Sequence, residues 1–345
     1  MNEKIKVGII YGGKSAEHEV SLESAKSIIS AIDKEKYDIT PILVDKSGKW
    51  SLDGGQHVVL VPQGNGGLIN LDTQQSEGKL DVAFPILHGP FGEDGTMQGL
   101  LKLANIPFVG ASVLGSAVGM DKDVMKRLLR DAGIPIAHFM TITEKTIPTY
   151  EEVVKEFGSL VFVKPANLGS SVGVNKASDQ LSFEKAIHEA FQYDRKSIIE
   201  EYVEGREMEC SVLGNDDPIA SVPGEVIPTH DFYSYDAKYV DEHGATFDIP
   251  AKVSDEVTKK IQDLAIQTYK TLCCEGMARV DFFLKSDGEV IVNEINTIPG
   301  FTPISMYPKM WEASKISSTQ LIDQLIQLAF DRFEKEKKLI TSYEA

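Results

Sequence analysis

A hairpin near the carboxyl-terminal end constrains the fold of this chain more than any other segment. The runs ARVDFFLK and EVIVNEIN alternate apolar and polar side chains and flank Ser286-Asp287-Gly288. This alternation predicts two strands. Asp287 and Gly288 favour a two-residue type I′ loop between them, because both loop positions need a positive φ. With that loop, Asp281 stands directly opposite Glu294, and Arg279 stands opposite Asn296.

The alternation also predicts which face of the hairpin carries chemistry. Arg279, Asp281, Glu294 and Asn296 share one face, because side chains along a strand alternate between faces. The other face is a predicted core of Val280, Phe282, Leu284, Ile291 and Ile295. Opposed carboxylates repel, so a positive group is expected between them. It is either Arg279 alone, in a structural ion network on a solvated sheet face, or Mg²⁺ held by the two carboxylates and the Asn296 amide.

The rest of the sequence predicts an α/β unit followed by α+β units. Residues 1–120 alternate strands and helices, which predicts a parallel, doubly wound sheet. Asp121 is a predicted helix cap, and residues 121–215 are expected to form a second unit with strands at 161–164, 197–201 and 208–213. Residues 216–345 form a third unit, in which residues 225–250 are expected to be a loop that acts as a lid.

Two glycine-containing segments suggest phosphate binding. Lys164 ends a strand before the loop Gly169–Gly173, whose small residues would let backbone N–H groups approach an anion; a flexible hairpin linker is the alternative. Residues 8–15 match the P-loop pattern letter for letter. We discount this match because Gly8 falls inside the strand, and we read a strand, a turn and a helix with Glu17 in its first turn. Glu17 could hold an ammonium group or merely stabilise the helix start.

Composition limits the class of ligand and the compartment. The chain has 35 Lys and Arg against 52 Asp and Glu, a net charge of −17. This balance argues against nucleic-acid binding, which needs clustered basic residues. Three cysteines without metal-type spacing indicate reduced thiols. The absence of a signal-peptide pattern and of a long apolar run favours a cytoplasmic protein with no membrane segment.

A set of motifs along nearly the whole chain resembles the D-alanine–D-alanine ligase family of the ATP-grasp superfamily. In order, they are YGGKSAEHEVSL, LHGPFGEDGT, GMDK, VKPANLGSSVGV, EEYVEGRE, YDAKY, ARVDFF and NEINTIPGFTPISM. The resemblance implies an N-terminal α/β domain and two further domains whose antiparallel sheets enclose ATP. It also implies ATP-driven ligation of two D-alanines through a D-alanyl phosphate, for peptidoglycan precursors and hence for the cell wall and cell shape.

The resemblance assigns roles residue by residue. ATP would contact Lys122, Lys164, Ser170, Ser171, Glu200, Val203, Glu207 and Asn293. Two Mg²⁺ ions, replaceable by Mn²⁺, would bind Asp281, Glu294 and Asn296, and the family is compatible with a monovalent cation. The D-alanines would contact Glu17, His88, Lys238, Ser305 and Met306. Arg279 and the Gly300 N–H would stabilise the oxyanion, while Ser170 and Tyr239, linked to Glu17, would hold the lid shut.

Several alternatives stay open at this stage. A related ligase with D-lactate or D-serine as acceptor would carry the same motifs, although Tyr-Asp-Ala-Lys-Tyr favours an amine acceptor. A catalytically silent nucleotide-binding protein should lack one of the phosphate or metal residues, and none is missing. The family implies a homodimer with small-molecule substrates, ATP and D-alanine, and no nucleic-acid or membrane partner.

Overall fold

The computed structural model of the protein describes residues 3–228 and 245–340 of the 345-residue chain. Across these two stretches, no helix combines the length and apolar character needed to cross a bilayer. The described residues form several sheets with flanking helices, which confirms the mixed α/β and α+β class.

The first unit is built on a sheet that is parallel except for one short antiparallel edge strand. Its elements are β1 (Ile5–Gly12), α1 (His18–Ala31), β2 (Tyr37–Val44), β3 (Trp50–Leu52), β4 (Val58–Leu60), β5 (Gly67–Asn70), β6 (Ser76–Lys79), β7 (Val82–Ile86), α2 (Thr96–Leu103) and α3 (Val113–Met120). The order is β3-β2-β1-β7, with β1 parallel to both neighbours, while β4, β5 and β6 form a separate antiparallel sheet. Ile9 and Ile10 lie in different apolar clusters, so the parallel sheet is buried on both faces.

The second unit is a small antiparallel sheet. Its elements are α4 (Lys122–Asp131), β8 (Phe139–Thr143), α5 (Tyr150–Phe157), β9 (Val161–Pro165), β10 (Asn175–Ala177), α6 (Gln180–Tyr193) and β11 (Lys196–Glu201). The strand order is β10-β9-β11-β8. Asp121 caps α4 as predicted, because its side chain accepts the Val124 N–H at 3.1 Å.

The third unit contains a six-stranded antiparallel sheet. Its elements are β12 (Arg206–Gly214), β13 (Ile219–Ala220), β14 (Gly224–Pro228), β15 (Ala245–Asp248), α7 (Asp255–Thr271), β16 (Gly276–Leu284), β17 (Val290–Asn296), α8 (Met306–Ala313) and α9 (Ser318–Glu336). The order is β15-β14-β12-β16-β17, with β13 beside β12.

Two expectations about this region are wrong. The strand at 208–213 was expected in the second unit, but β12 pairs along its whole length with β16 in the third sheet. We therefore propose a boundary between 201 and 206 rather than at 215. The sequence predicts a loop over 225–250, which is wrong for its two ends only, because these pair as β14 and β15, with Glu225 opposite Asp248. The intervening residues 229–244 lie outside the described part of the chain.

The hairpin pairs the predicted residues by a different route. Asp281 lies opposite Glu294 and Arg279 opposite Asn296, as predicted. The two-residue loop is wrong, however, because Lys285 and Glu289 close a three-residue loop in which Gly288 has a φ of 84°. A bulge at Asn293 then restores the expected register beyond it.

This bulge also corrects one predicted core position. On the turn side of the bulge, Val290 and Val292 face the apolar cluster with Phe282, and Ile291 does not belong to that cluster. The extra residue shifts the alternation by one position, so that Ile295 again faces the core.

The two ends of the chain share one core. Side chains of α9, including Leu321 and Leu325, pack with Val7, Ile9 and Ala25 of the first unit. The Arg332 side chain is buried and donates to the carbonyl oxygens of Phe108 and Gly110. The first unit is therefore held against the third, and the hairpin face opens toward the start of α1.

Candidate active site

Three strands of the third sheet place acidic side chains in one row. Glu209 on β12 is in register with Asp281 on β16, which is in register with Glu294 on β17. Carboxylates at adjacent positions of a sheet repel one another unless cations lie among them. The row is therefore a place where positive groups are required.

Arg279 supplies the first of these positive groups. Its guanidinium makes a bidentate contact with Asp281, with Nε and Nη2 each donating at 2.7 Å, and Nε lies 3.0 Å from Glu209 Oε2. Lys122 supplies the second, since its Nζ lies 3.3 Å from Glu294 Oε2. The same Nζ donates to the Leu168 carbonyl at 2.8 Å, which links α4 to the glycine-rich loop.

The donor set at this row fits a hard divalent cation. Asp281 and Glu294 face each other, and Asn296 Nδ2 donates to Asp281 Oδ2 at 3.0 Å, which places the Asn296 amide beside the two acids. Two carboxylates and an amide oxygen are ligands that Mg²⁺ accepts. Within residues 3–228 and 245–340 there is no cluster of three or more His, Cys, Asp or Glu side chains suited to a metal. A cation here would therefore depend on the amide as well as on the acids.

A second charge cluster is buried between α4 and the second sheet. Lys126 and Lys164 each form an ion pair with Glu200, one at each carboxylate oxygen. Burial acts to raise the pKa of Glu200, but the two lysines outweigh it and hold the pKa below its ordinary value. Burial dominates for Lys126 and lowers its pKa, whereas Glu200 outweighs burial at Lys164 and raises its pKa. Lys164 also lies 3.4 Å from the Asn293 amide oxygen at the bulge.

The glycine-rich loop contacts the start of α1. The Ser170 hydroxyl donates to Glu17 Oε1, and both Ser170 and Ser171 have positive φ values, 54° and 58°. A Cβ at Gly169 would lie 3.2 Å from Glu17 Oε2, so a small residue suits this approach. The second unit therefore covers the carboxylate that the sequence singled out for an ammonium group.

A cavity of about 600 Å³ brings together nine of the nineteen predicted site residues. Its walls come from all three units, and the predicted residues among them are Glu17, His88, Ser170, Arg279, Glu294, Asn296, Gly300, Ser305 and Met306. The cavity thus joins a carboxylate at one end with a guanidinium and the acidic row at the other.

His88 and Glu93 hold the wall of this cavity from the first unit. His88 is buried, and its Nδ1 lies 2.9 Å from the Ile298 carbonyl oxygen. Glu93 accepts the Ile298 N–H at 2.9 Å and the Gly89 N–H at 2.7 Å. Burial, followed by the nearby Glu17 carboxylate, raises the pKa of Glu93 to about 8. Burial also lowers the pKa of His88, which favours its neutral form.

The other predicted residues lie around or beyond this cavity. Val203 lines a separate cleft of about 1130 Å³ between the second and third units. Glu207 lies on β12, opposite Val226 and Phe283. Lys238 and Tyr239 fall outside the described residues.

The backbone of residues 8–15 does not have the conformation that a P-loop requires. Gly8 lies within β1, paired with Thr40 and Ala83, and a Cβ there would lie 2.4 Å from the Leu80 side chain. A phosphate loop would need this stretch to leave the sheet. The discounting of that motif is confirmed.

Family models match two long segments of the chain. A model described as "D-ala D-ala ligase N-terminus" matches residues 6–111, and one described as "D-ala D-ala ligase C-terminus" matches residues 128–327. The chain belongs to the D-alanine–D-alanine ligase family.

Individual family members agree with this assignment over full length. A D-alanine–D-alanine ligase from Shouchella clausii is 53% identical, with 98% of each chain covered. The structure of a D-alanine–D-alanine ligase from Coxiella burnetii is 40% identical, with a TM-score of 0.89 and 97% of each chain covered. The VanG D-Ala:D-Ser ligase from Enterococcus faecalis is 36% identical, with a TM-score of 0.84, and covers 95% of this chain and 100% of its own.

Three residues of this ligase-family site were missed in the sequence. Glu209 contacts Arg279, Lys126 contacts Glu200, and Glu93 contacts Ile298. Lys126 had a weak signal, since it follows Lys122 by one helical turn on α4. Glu209 and Glu93 had none, because their partners come from other elements.

Proposed function

We propose that the protein joins two D-alanines into D-alanyl-D-alanine at the expense of ATP. Membership of the D-alanine–D-alanine ligase family supports this proposal. The observation that carries it is the cavity in which Glu17, Arg279 and Gly300 stand beside the acidic row. Such a cavity offers an anion for an amino group and cations for a carboxylate and for phosphate, which are the groups that this reaction brings together.

In this proposal, ATP lies between the second and third sheets. Lys122 and Lys164 reach its phosphates, and the loop with Ser170 and Ser171 covers them. Glu200 and Val203 bind the adenine, Glu207 binds the ribose, and Asn293 lies beside Lys164. The position of Lys122, 3.3 Å from Glu294, supports a phosphate site next to the acidic row.

Asp281, Glu294 and Asn296 would hold Mg²⁺, in two ions by analogy with the family, with Mn²⁺ as an expected substitute. Bound there, the metal supplies positive charge that offsets the negative charge of the phosphates. The family is also compatible with a monovalent cation, for which we propose no residues.

The chain's own residues would then carry the two chemical steps. Glu17 holds the ammonium of the first D-alanine. A carboxylate oxygen of this D-alanine can then attack the γ-phosphorus of ATP and release ADP. Arg279 and the Gly300 N–H stabilise the oxyanion formed when the amine of the second D-alanine attacks the acyl carbon. The C–N bond forms, the acyl C–O bond breaks, and phosphate leaves with that oxygen while the amine loses a proton.

The second D-alanine needs its carboxylate held in place. Ser305 and Met306 line the cavity, and we propose that they bind this carboxylate together with Lys238. Ser170, which donates to Glu17, would exclude water from the acyl phosphate together with Tyr239.

The proposal is tested by phosphate release from Mg-ATP with D-alanine or L-alanine as the only amino acid. We expect D-alanine to stimulate phosphate release and L-alanine to leave it at background. Equal stimulation by both enantiomers would contradict the proposal.

A second candidate is a ligase with another acceptor. The similarity to the Enterococcus faecalis D-Ala:D-Ser ligase favours testing D-serine, and D-lactate is the other related acceptor. Competition of each acceptor with D-alanine, with the products separated by mass, distinguishes these activities. We expect D-alanyl-D-alanine to dominate at equal acceptor concentrations.

We further propose, by analogy with the family, a homodimer located in the cytoplasm. Light scattering of the purified chain tests the first point, since a dimer has twice the 38.0 kDa mass of one chain. Fractionation of producing cells tests the second.

A further inference from the structure

The segment Ile298-Pro299-Gly300-Phe301 forms one wall of the cavity and is held from outside its own unit. The Phe301 N–H donates to Ser24 Oγ at 3.1 Å, and Ser24 lies on α1 of the first unit. At the other end, Ile298 is held on both sides of its backbone. Its carbonyl oxygen lies 2.9 Å from His88 Nδ1, and its N–H donates to Glu93 Oε1 at 2.9 Å.

The protonation of His88 follows from these partners. A carbonyl oxygen can only accept, so Nδ1 must carry the proton that His88 donates to Ile298. In the neutral ring Nε2 is then an acceptor, and it lies 3.2 Å from Ser24 Oγ, which donates its hydroxyl proton. Ser24 Oγ still accepts the Phe301 N–H. Every donor and acceptor in the series of hydrogen bonds from Phe301 through Ser24 and His88 to Ile298 therefore has a partner.

This arrangement leaves one backbone donor of the segment for the cavity. Pro299 has no N–H, and the N–H groups of Ile298 and Phe301 are bound to Glu93 and Ser24. Among the described residues, nothing accepts the Gly300 N–H, and Gly300 lines the cavity. The space at this position is also narrow, because a Cβ at Gly300 would lie 2.8 Å from Ser305 Oγ, so that the Ser305 side chain would have to move.

We propose that Glu93, Ser24 and His88 are positioning residues that fix this segment so that the Gly300 N–H faces the reacting acyl group. They act through the backbone of Ile298 and Phe301 and do not themselves contact the substrate in this role. The inference rests on the proposed function, since it assigns Gly300 to the oxyanion. Because the three side chains belong to the first unit, the oxyanion donor is aligned only when the first and third units are in contact.

We call the contacts of Glu93, His88 and Ser24 with the backbone of Ile298 and Phe301 the clamp. Two variants test its two ends. Glu93→Gln replaces one carboxylate oxygen by an NH₂ group, which cannot accept an N–H. Ser24→Ala removes the acceptor of the Phe301 N–H and the donor to His88. Matched controls are Glu152→Gln, at an exposed carboxylate that accepts the Thr149 N–H at 2.8 Å, and Ser27→Ala, one turn along α1 on an exposed hydroxyl.

The first readout is kinetic. We expect Glu93→Gln and Ser24→Ala to lower kcat for dipeptide formation by roughly 10- to 100-fold, because the Gly300 N–H is misplaced but not lost; complete removal of an oxyanion donor costs roughly 100- to 1000-fold. The dissociation constant of a non-hydrolysable ATP analogue should stay within about two-fold, because the proposed nucleotide residues lie elsewhere. The two controls should match the wild type. Unchanged kcat in both variants would overturn the proposal, and so would an equal loss of nucleotide binding, which would indicate general damage.

The second readout does not depend on activity. Amide hydrogen exchange of the peptides that contain Gly89 and residues 297–301 should be faster in both variants than in the wild type. For Glu93→Gln we expect about ten-fold faster exchange at Ile298 or at Gly89, because the one remaining amide oxygen can accept only one of these two N–H groups. For Ser24→Ala we expect about ten-fold faster exchange at Phe301. Unchanged exchange at these amides would overturn the clamp even if activity fell. A wild type without ligase activity would contradict the proposed function instead, while the exchange result would still decide the clamp. Should Glu93→Gln not fold, Glu93→Asp, which keeps the carboxyl group on a shorter side chain, replaces it in both measurements.

Discussion

Single side chains decide the electrostatics of this site, because most of its charges are partly or fully removed from water. Glu294 is half-buried beside Lys122, and it faces Asp281 across the hairpin. We therefore expect the negative charge of Glu294 both to balance the charge of Lys122 and to bind a divalent cation.

Glu294→Gln should lower D-alanine-dependent phosphate release by roughly 100-fold, because the neutral amide is a weaker ligand for a hard cation. The loss is measured by steady-state phosphate release at saturating Mg-ATP. Glu289→Gln serves as the control, since Glu289 pairs with Lys285 at the exposed end of the same hairpin. A Glu294→Gln variant as active as Glu289→Gln would contradict the proposed metal site.

Lys126→Met should destabilise the protein, because it leaves Glu200 buried with only one of its two lysines. Removing one partner of a buried ion pair costs about 3–5 kcal/mol. The free energy of unfolding in urea measures the loss, and the double variant Lys126→Met with Glu200→Gln should lose more than Lys126→Met alone, because it also leaves the buried Lys164 without its carboxylate partner. Equal losses in the single and double variants would show that Lys164 does not depend on Glu200.

The sequence could supply the residue types of the site but not all of their partners. Asp281, Glu294 and Asn296 were found because one hairpin carries them and its alternation fixes their face. Glu93 and Glu209 were missed because their contacts join a loop to another loop and one strand to the next. Such contacts follow from the packing of units that are distant in the sequence, and no local pattern encodes them.

At the scale of elements, the hairpin β16–β17 shows how a prediction can be right for the wrong reason. The three-residue loop alone would pair Asp281 with Asn293, and the bulge at Asn293 moves Glu294 into that place. In the sequence, the only trace of this bulge is that two polar residues, Asn293 and Glu294, stand next to each other and interrupt the alternation. A sequence reading that assumes regular pairing therefore cannot distinguish the two arrangements.

The bulge makes a testable prediction about the core. Val292→Ala should cost about 2 kcal/mol of unfolding free energy, since Val292 is fully buried in the apolar cluster beneath the hairpin. Ile291→Ala should cost less, although it removes more carbon atoms, because Ile291 faces the cleft beside Val203. Chemical denaturation of both variants gives the comparison, and the reverse order would support a regular hairpin.

At the scale of the whole molecule, the first and last parts of the chain form one body. Helix α9 covers one face of the parallel sheet, and Arg332 joins it to the loop at Phe108–Gly110. This packing brings Glu17, His88 and Glu93 of the first unit to the hairpin of the third. The sequence predicts the order of helices and strands. It does not predict the packing of the last helix on the first unit, because that packing depends on contacts between segments far apart in the chain.

Arg332→Met should lower the free energy of unfolding by about 2–4 kcal/mol, because two buried carbonyl groups lose a charged donor. Lys335→Met on the same helix is the control, since its pair with Asp216 is exposed and should contribute little. Both values come from urea denaturation of the full chain. An Arg332→Met variant as stable as the control would show that the contact does not hold the two units together.

The most direct test of the whole account follows the oxygen atoms of D-alanine labelled with ¹⁸O in its carboxylate. If the carboxylate attacks the γ-phosphorus and the acyl phosphate is then aminolysed, one labelled oxygen passes to the released phosphate and one stays in the new peptide carbonyl. We predict one ¹⁸O in each phosphate released, in proportion to D-alanyl-D-alanine formed. Dipeptide that accumulates together with unlabelled phosphate would contradict the account.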